Sequence, residues 1–287
     1  MNKLSLSRRA AVVRGLVDGA SIRAVARMTN TDKDTVLRVL VEVGEFCSIY
    51  QDHALRQLPC ARIEADEIWS FVGAKEANKT QAGQGDIWTY TAMCADSKLM
   101  VTWLVGSRFG DSARRFMADL APRLKRRVQL STDAHGPYPF AVETAFGWNG
   151  CDYATITKRY KAAPSSYGAG RYSPSPIVES VEVVEVMGKP NPDKVSTSYV
   201  ERSNLTMRMN MRRFTRLTNA FSKKAENHAH AVSLHFMVYN FVRPHGTLTK
   251  AAKGIKTTPA MAAGVTNRVW SIEDILARME NDFQIAA

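Results

Sequence analysis

Apolar and polar residues alternate with a period of two along residues 62–73 (RIEADEIWSFVG), which predicts a β-strand. Ile63, Ala65, Glu67, Trp69 and Phe71 would point to one side of it, and Glu64, Asp66, Ile68, Ser70 and Val72 to the other. Further strands are predicted near 87–94, 99–105, 127–132 and 152–157, with helices near 111–122 and 138–146. Three consecutive strands able to form a meander, then helices and strands in alternation, predict an α/β chain with a mixed sheet and helices on its faces. Upstream, three short helices are expected over 8–18, 21–28 and from Thr31 or Asp32 to Phe46, with Gly19 stopping the first and Ser21 capping the second. This is an all-α helix-turn-helix pattern, in which Val36, Leu40, Val43 and Cys47 form the buried stripe of the third helix. Lys33, Thr35 and Arg38 lie off that stripe near the helix start, where a recognition helix meets DNA; a plain three-helix bundle with a solvated basic face would show the same residues.

Three acids stand out against this pattern. Strand interiors are poor in carboxylates, so Asp66 in a strand this apolar calls for a cation as partner. Taken alone, the stretch is explained as well by a solvent-facing acid on an edge strand. Asp133 ends the apolar run VQLST and opens the turn-like Ala134-His135-Gly136-Pro137. Glu201 opens the helical run YVERSNLTMRMNMRRF, flanking a stripe of Val200, Met207, Met211 and Phe214. Two Asp and one Glu form an oxygen-only set suited to hard cations. His135 is read first as a partner in a loop hydrogen bond and second as a group that orients a phosphate or a water. His228, His230, His235 and His245 have no cysteine beside them to complete a zinc set.

Past Glu201, Arg208, Arg212, Arg213, Arg216, Lys223 and Lys224 concentrate positive charge and are candidate phosphate contacts, the plain alternative being a solvated face. The whole chain is basic: 39 Lys and Arg against 27 Asp and Glu among 287 residues give a net charge of +12, which points to a polyanionic partner. No stretch reaches the length of a membrane span, and the first residues lack the apolar core of a signal peptide, so a cytoplasmic protein is expected. Cys47, Cys60, Cys94 and Cys151 include no Cys-x-x-Cys pair, which leaves no signal for a zinc ribbon or a disulfide framework. The proline-rich stretch 161–198 is expected to be an insertion, with the alternating run Ile177 to Val186 as the candidate for a β-hairpin. Gln51 to Ala61 reads as a connector, Ser222 as the cap of a helix running to Phe241, and Ser271 to Met279 as a last capped helix.

The words IEADEIWSFVG, STDAHGPYPFAVETAFG, STSYVERSNLTMRMNMRRFTRLTNAFSKK and HFMVYNFVRPHGTL resemble a bacterial DDE-type transposase of the insertion-sequence-one kind. The resemblance covers about residues 60–270. It implies a ribonuclease H-like catalytic domain over 59–245, preceded by a helix-turn-helix DNA-binding domain over 1–58 and followed by a helical tail over 246–287. Asp66, Asp133 and Glu201 match the three catalytic acids, which would hold two Mg²⁺ ions, with Mn²⁺ as a substitute and Asp66 bridging the pair. The implied partners are double-stranded DNA, as element ends and target, and further copies of the chain. The implied activity is cleavage at element ends and strand transfer in a nucleoid-associated bacterial protein. Ala134 departs from the pattern, since relatives usually have Gly directly after the second Asp, and the Cys-rich zinc ribbon that many of them carry is missing. A non-catalytic DNA-binding regulator and a nuclease that cuts without joining are the competing readings. Asn240, Arg243 and His245 would support the catalytic fold or touch DNA.

Overall fold

The computed structural model describes residues 4–161, 178–215 and 219–285. Three helices come first: α1 (Leu6–Val17), α2 (Ile22–Met28) and α3 (Lys33–Ala54). Ser5, Ser21 and Asp32 cap them, each side chain accepting a backbone N–H from the first turn. Between α1 and α2 the chain turns at Gly19, whose φ of +83° suits glycine, and a Cβ there would press on the carbonyl of Asn210. Helix α3 runs past Phe46 into the segment read as a connector and ends at Ala54. The cause is Gln51, a polar residue that sits in the core, where its amide donates to the carbonyls of Cys47 (2.9 Å) and Ser233 (3.1 Å).

Six strands follow: β1 (Arg62–Val72), β2 (Gly85–Cys94), β3 (Met100–Gly106), β4 (Gln129–Asp133), β5 (Asp152–Tyr160) and β6 (Val178–Met187). They form one sheet in the order β3-β2-β1-β4-β5-β6. The first three pair antiparallel, β4 lies parallel to β1, β5 parallel to β4, and β6 antiparallel to β5. This mixed sheet with helices on its faces is the ribonuclease H-like arrangement. Helix α4 (Gly110–Leu120) returns the chain from β3 to β4, and α5 (Tyr138–Phe146) from β4 to β5. Residues 178–187, expected within an insertion, are the sixth strand of the sheet, paired to β5 and exposed on both faces. Their alternating Val and Glu residues suit an edge strand, where charge discourages unwanted pairing.

After the sheet come α6 (Ser198–Asn210), α7 (Ala225–Met237) with a π-turn at Val238–Val242, then α8 (Gly246–Ala251), α9 (Pro259–Ala262) and α10 (Ile272–Ile285). Helix α6 stops before the stretch 211–214 because Met211 turns extended, with φ −129° and ψ 97°. Helix α7 starts at Ala225, and Ser222 does not cap it; the Ser222 hydroxyl accepts from Arg213 (2.9 Å) and lies 3.3 Å from His228 Nδ1. Asn240 closes the free edge of β3, taking the N–H of Met100 and donating to its carbonyl, both at 3.0 Å.

The N-terminal helices share one continuous core with the sheet and the C-terminal helices. Gly44 of α3 lies so close to His230 of α7 that a Cβ would meet the backbone carbonyl there at 2.6 Å. Buried Arg9 of α1 pairs with Glu280 of α10 at 2.9 Å, and Arg243 donates to Asp18 at 2.8 Å. The described parts of 1–58 and 246–287, expected as a separate module and a tail, therefore pack on each other through α1 and α10 and on the body through α3 and α7. Among the described residues no helix is long and apolar enough to cross a membrane.

Candidate metal centre

Register decides which acids meet. Strand β4 pairs with β1 from Arg62↔Gln129 to Ala65↔Thr132, and it ends one residue later. Asp133 therefore stands beside Asp66 at the carboxyl edge of the parallel strands, the side of an α/β sheet where ligands bind. Beyond that point the flank of β1 is open, and Glu67, although on the opposite face from Asp66, reaches the same place. Carboxylate oxygens of Asp66, Glu67 and Asp133 all lie within 4.8 Å of one another.

Glu67 was named from the sequence only as a position on one side of the predicted strand, and it proves to be the most enclosed of the three. Its Oε1 accepts from Arg108 Nε (3.2 Å) and Nη2 (3.0 Å), and its Oε2 from the Tyr138 hydroxyl (3.1 Å). Arg108 itself lies over the ring of Trp88, 4.4 Å from its centre. Asp66 Oδ2 accepts from Asn204 Nδ2 on α6 at 2.8 Å. Asp133 Oδ1 accepts the backbone N–H of His135 at 3.1 Å, the loop hydrogen bond expected there, although through the backbone. The His135 ring stands edge-on to Tyr138, with Nδ1 3.8 Å from Glu67, and burial pushes its pKa down.

The electrostatics follow from this crowding. Burial first, then the charges of Glu67 and Asp133, raise the Asp66 carboxyl to about 7. Glu67 is raised by burial and by Asp133, against the opposing pull of Arg108 and Tyr138. One buried and two half-buried acids this close repel one another, and a hard divalent cation among them would offset both the repulsion and the lost hydration. The donor set, all carboxylate oxygen, fits Mg²⁺ or Mn²⁺ and excludes a soft metal.

Glu201 is not within the group of three, although its charge helps to raise Asp66. Its Oε1 accepts from Lys158 Nζ (2.6 Å) and from Thr197 Oγ1 (2.7 Å). Helix α6 is docked on β1 at two other points. Asn204, three residues past Glu201 and so on the same helix face, holds Asp66. Buried Glu64, two residues before Asp66 on β1, accepts the N–H groups of Tyr199 (2.7 Å) and Val200 (3.1 Å) at the helix N-terminus. Neither residue was singled out from the sequence. The signal for Glu64 was a second acid on the Asp66 face of an apolar strand.

The candidate DNA contacts divide. Lys33 and Arg38 are exposed on α3, and Arg38 donates to Thr35 Oγ1 at 3.1 Å. Arg212, Lys223 and Lys224 are exposed, and Arg208 is partly buried on α6. Arg213 is put to structural use: it donates to Ser222 and to the carbonyl of Asn227 (3.1 Å), and burial lowers its pKa to about 10. Arg216 lies outside the described residues.

No family model matches the chain, and no curated protein does. Among solved structures, the chain is similar to the crystal structure of the Mos1 strand transfer complex, at 11% identity and a TM-score of 0.24. It is also similar to that of a pre-cleavage Mos1 transpososome, at 9% identity and a TM-score of 0.27. Each match covers 83% of this chain and 78% of the other. At such scores the likeness carries no argument about function.

Proposed function

We propose that this protein is a DNA transposase of the DDE type, which binds the ends of a mobile element, cleaves a phosphodiester at each and joins the freed 3′-hydroxyl to target DNA. The observation that carries this reading is the acidic cluster at the carboxyl edge of the sheet, where the β1–β4 register sets Asp66 beside Asp133. Asp66 and Asp133 would hold the cation, and Glu201 would supply a further ligand from α6. Glu67, whose oxygens already accept from Arg108 and Tyr138, deepens the negative potential around them. Mg²⁺ bound there would activate the attacking oxygen and stabilise the leaving one.

The chain's own residues do the rest. Asn204 fixes the Asp66 carboxylate, and Glu64 fixes the helix from which Glu201 projects. Arg208 and Arg212, beyond Glu201 along the chain, and Lys223 and Lys224 beyond them, offer cations to the DNA backbone and hold the reacting phosphate in place. Lys33, Thr35 and Arg38 would read the element ends, and a second copy of the chain would serve the second end.

The test is incubation with the DNA flanking the protein's own gene and Mg²⁺, mapping nicks and joints while following end-binding by gel shift. Asp66→Asn, Asp133→Asn and Glu201→Gln keep shape but each remove a charge and a good oxygen ligand. Each should stop cleavage and joining and leave binding intact. A wild type that binds but never cuts with any divalent metal would mark a regulator, cleavage without joining a nuclease, and a variant with normal strand transfer a misassigned acid.

A further inference from the structure

Lys158 has no part in the reaction as described, yet it is the partner of the acid assigned to the third metal position. It stands on β5, two residues past Ile156, the partner of Asp133 across the β4–β5 pairing. Its side chain thus emerges on the Ile156 face of β5, just beyond the end of β4. The ammonium lies 2.6 Å from Glu201 Oε1, with the Lys158 side chain 21% exposed and that of Glu201 43% exposed. Thr197 holds the same oxygen, and Asn204, on the same helix face as Glu201, ties α6 to Asp66. The helix is thus tied to β1 beside the acidic cluster, close enough for the charge of Glu201 to act on Asp66.

We propose that Lys158 is a positioning residue which holds Glu201 until a divalent cation takes that carboxylate, and which then turns its ammonium to a phosphate oxygen of the bound DNA. This rests on the reading of the acidic cluster as a metal centre. The exchange follows from charge. A divalent cation at Asp66 and Asp133 attracts Glu201 and repels the ammonium beside it. The ammonium, a compact charge on a flexible stem, finds its next anion in a DNA phosphate. Cation and DNA backbone then favour each other's binding, because each relieves a cost that the other would meet.

The experiment is a titration of Mn²⁺, with free ion read by electron paramagnetic resonance, on the full chain without DNA. Wild type, Lys158→Met, Glu201→Gln and the double variant are compared at one pH, with circular dichroism melts to verify folding. Lys158→Met keeps the length and apolar stem of the side chain while removing its charge. It should tighten Mn²⁺ binding about fivefold, the scale of one partly exposed ion pair released. Glu201→Gln should weaken binding, and in that background Lys158→Met should tighten it clearly less than in wild type, since only the direct repulsion between ammonium and cation is left to relieve. In the second arm, duplex DNA binding is measured by fluorescence anisotropy with and without Ca²⁺. The gain in affinity on adding Ca²⁺ should shrink in Lys158→Met. Unchanged Mn²⁺ affinity in Lys158→Met, or equal tightening with Glu201 present and absent, overturns the proposal. Asp66→Asn binding Mn²⁺ like wild type would instead overturn the metal centre, and this inference with it.

Discussion

Asp66 carries the sharpest consequence at the scale of single residues. A carboxyl raised to about 7 is still largely protonated at pH 6 and ionised at pH 8, and a cation binds only the ionised form. With chelator present, the sign of the stability effect is set by proton counting. Between the ordinary carboxylate range near 4 and the raised value near 7, the folded state holds a proton that the unfolded state has lost, so stability falls as pH rises through that window. Asp66→Asn removes this contribution. We expect its melting temperature to decline less steeply from pH 4 to 7 than that of wild type, and to exceed it at pH 8, with chelator in every buffer. Equal slopes would show that Asp66 is not crowded as described. Mn²⁺ affinity of the wild type should rise with pH up to about 7 and then flatten. Glu67→Gln keeps one acceptor oxygen for Arg108, turns its amide N–H to the Tyr138 hydroxyl, and lowers the negative potential. It should weaken Mn²⁺ binding several-fold, against near-complete loss in Asp66→Asn, a contrast that calorimetric titration reads.

At the scale of elements, five strands of the sheet were legible because each is a run bounded by turn residues, whereas β6 was read as part of an insertion. The strand over 62–72 was readable in full, even with two acids at its centre, because the residues around them keep a period of two. Which acids would meet was less legible. The sequence shows that Asp66 and Asp133 sit on different strands, but only the parallel register places them side by side, and the turn that marks the end of β4 after Asp133 does not show that Glu67 can also reach in. Glu64 was missed for a related reason: an acid whose partners are two backbone N–H groups of a distant helix leaves no motif. Those two bonds sit at the N-terminus of α6, where a carboxylate also meets the positive end of the helix dipole. Glu64→Ala should cost about 2 kcal/mol in urea unfolding, since it leaves two buried donors unpaired. Glu64→Gln keeps an acceptor and should cost about half as much. Strand transfer should fall further in Glu64→Ala than its folded fraction does, because α6 would lose its fixed height against β1.

Across the whole molecule, the helix-turn-helix pattern suggests a module joined to the catalytic body by a connector, and the packing argues otherwise. Residues 51–61 read as a connector, but Gln51 is buried and joins α3 to Ser233 and, through its own Oε1, to Asn240 (3.3 Å). Asn240 in turn completes the edge of β3, so a polar chain runs from the N-terminal helices to the sheet. Val36, Val39, Leu40, Val43, Phe46 and Cys47 of α3 are buried in the same core as the sheet, and α10 covers α1 with Arg9 and Arg14 paired to Glu280 and Glu273. Removing residues 1–50 would strip Val36, Leu40, Val43 and Phe46 from the core, expose the face of α7 around His230 on which Gly44 packs, and leave Arg243 without Asp18. Burying side chains of this size contributes about 2 kcal/mol each, and the loss of several exceeds the reserve of an ordinary domain. The truncated chain should therefore be insoluble or melt without cooperativity. The proposed recognition of element ends is better separated from the proposed catalysis by Lys33→Ala with Arg38→Ala, two exposed changes on α3. The pair should weaken end-binding and reduce its salt dependence while leaving the melting temperature within a degree or two, on the scale of surface substitutions. A soluble, cooperatively melting fragment of residues 51–287 would show that the N-terminal helices are an independent module after all.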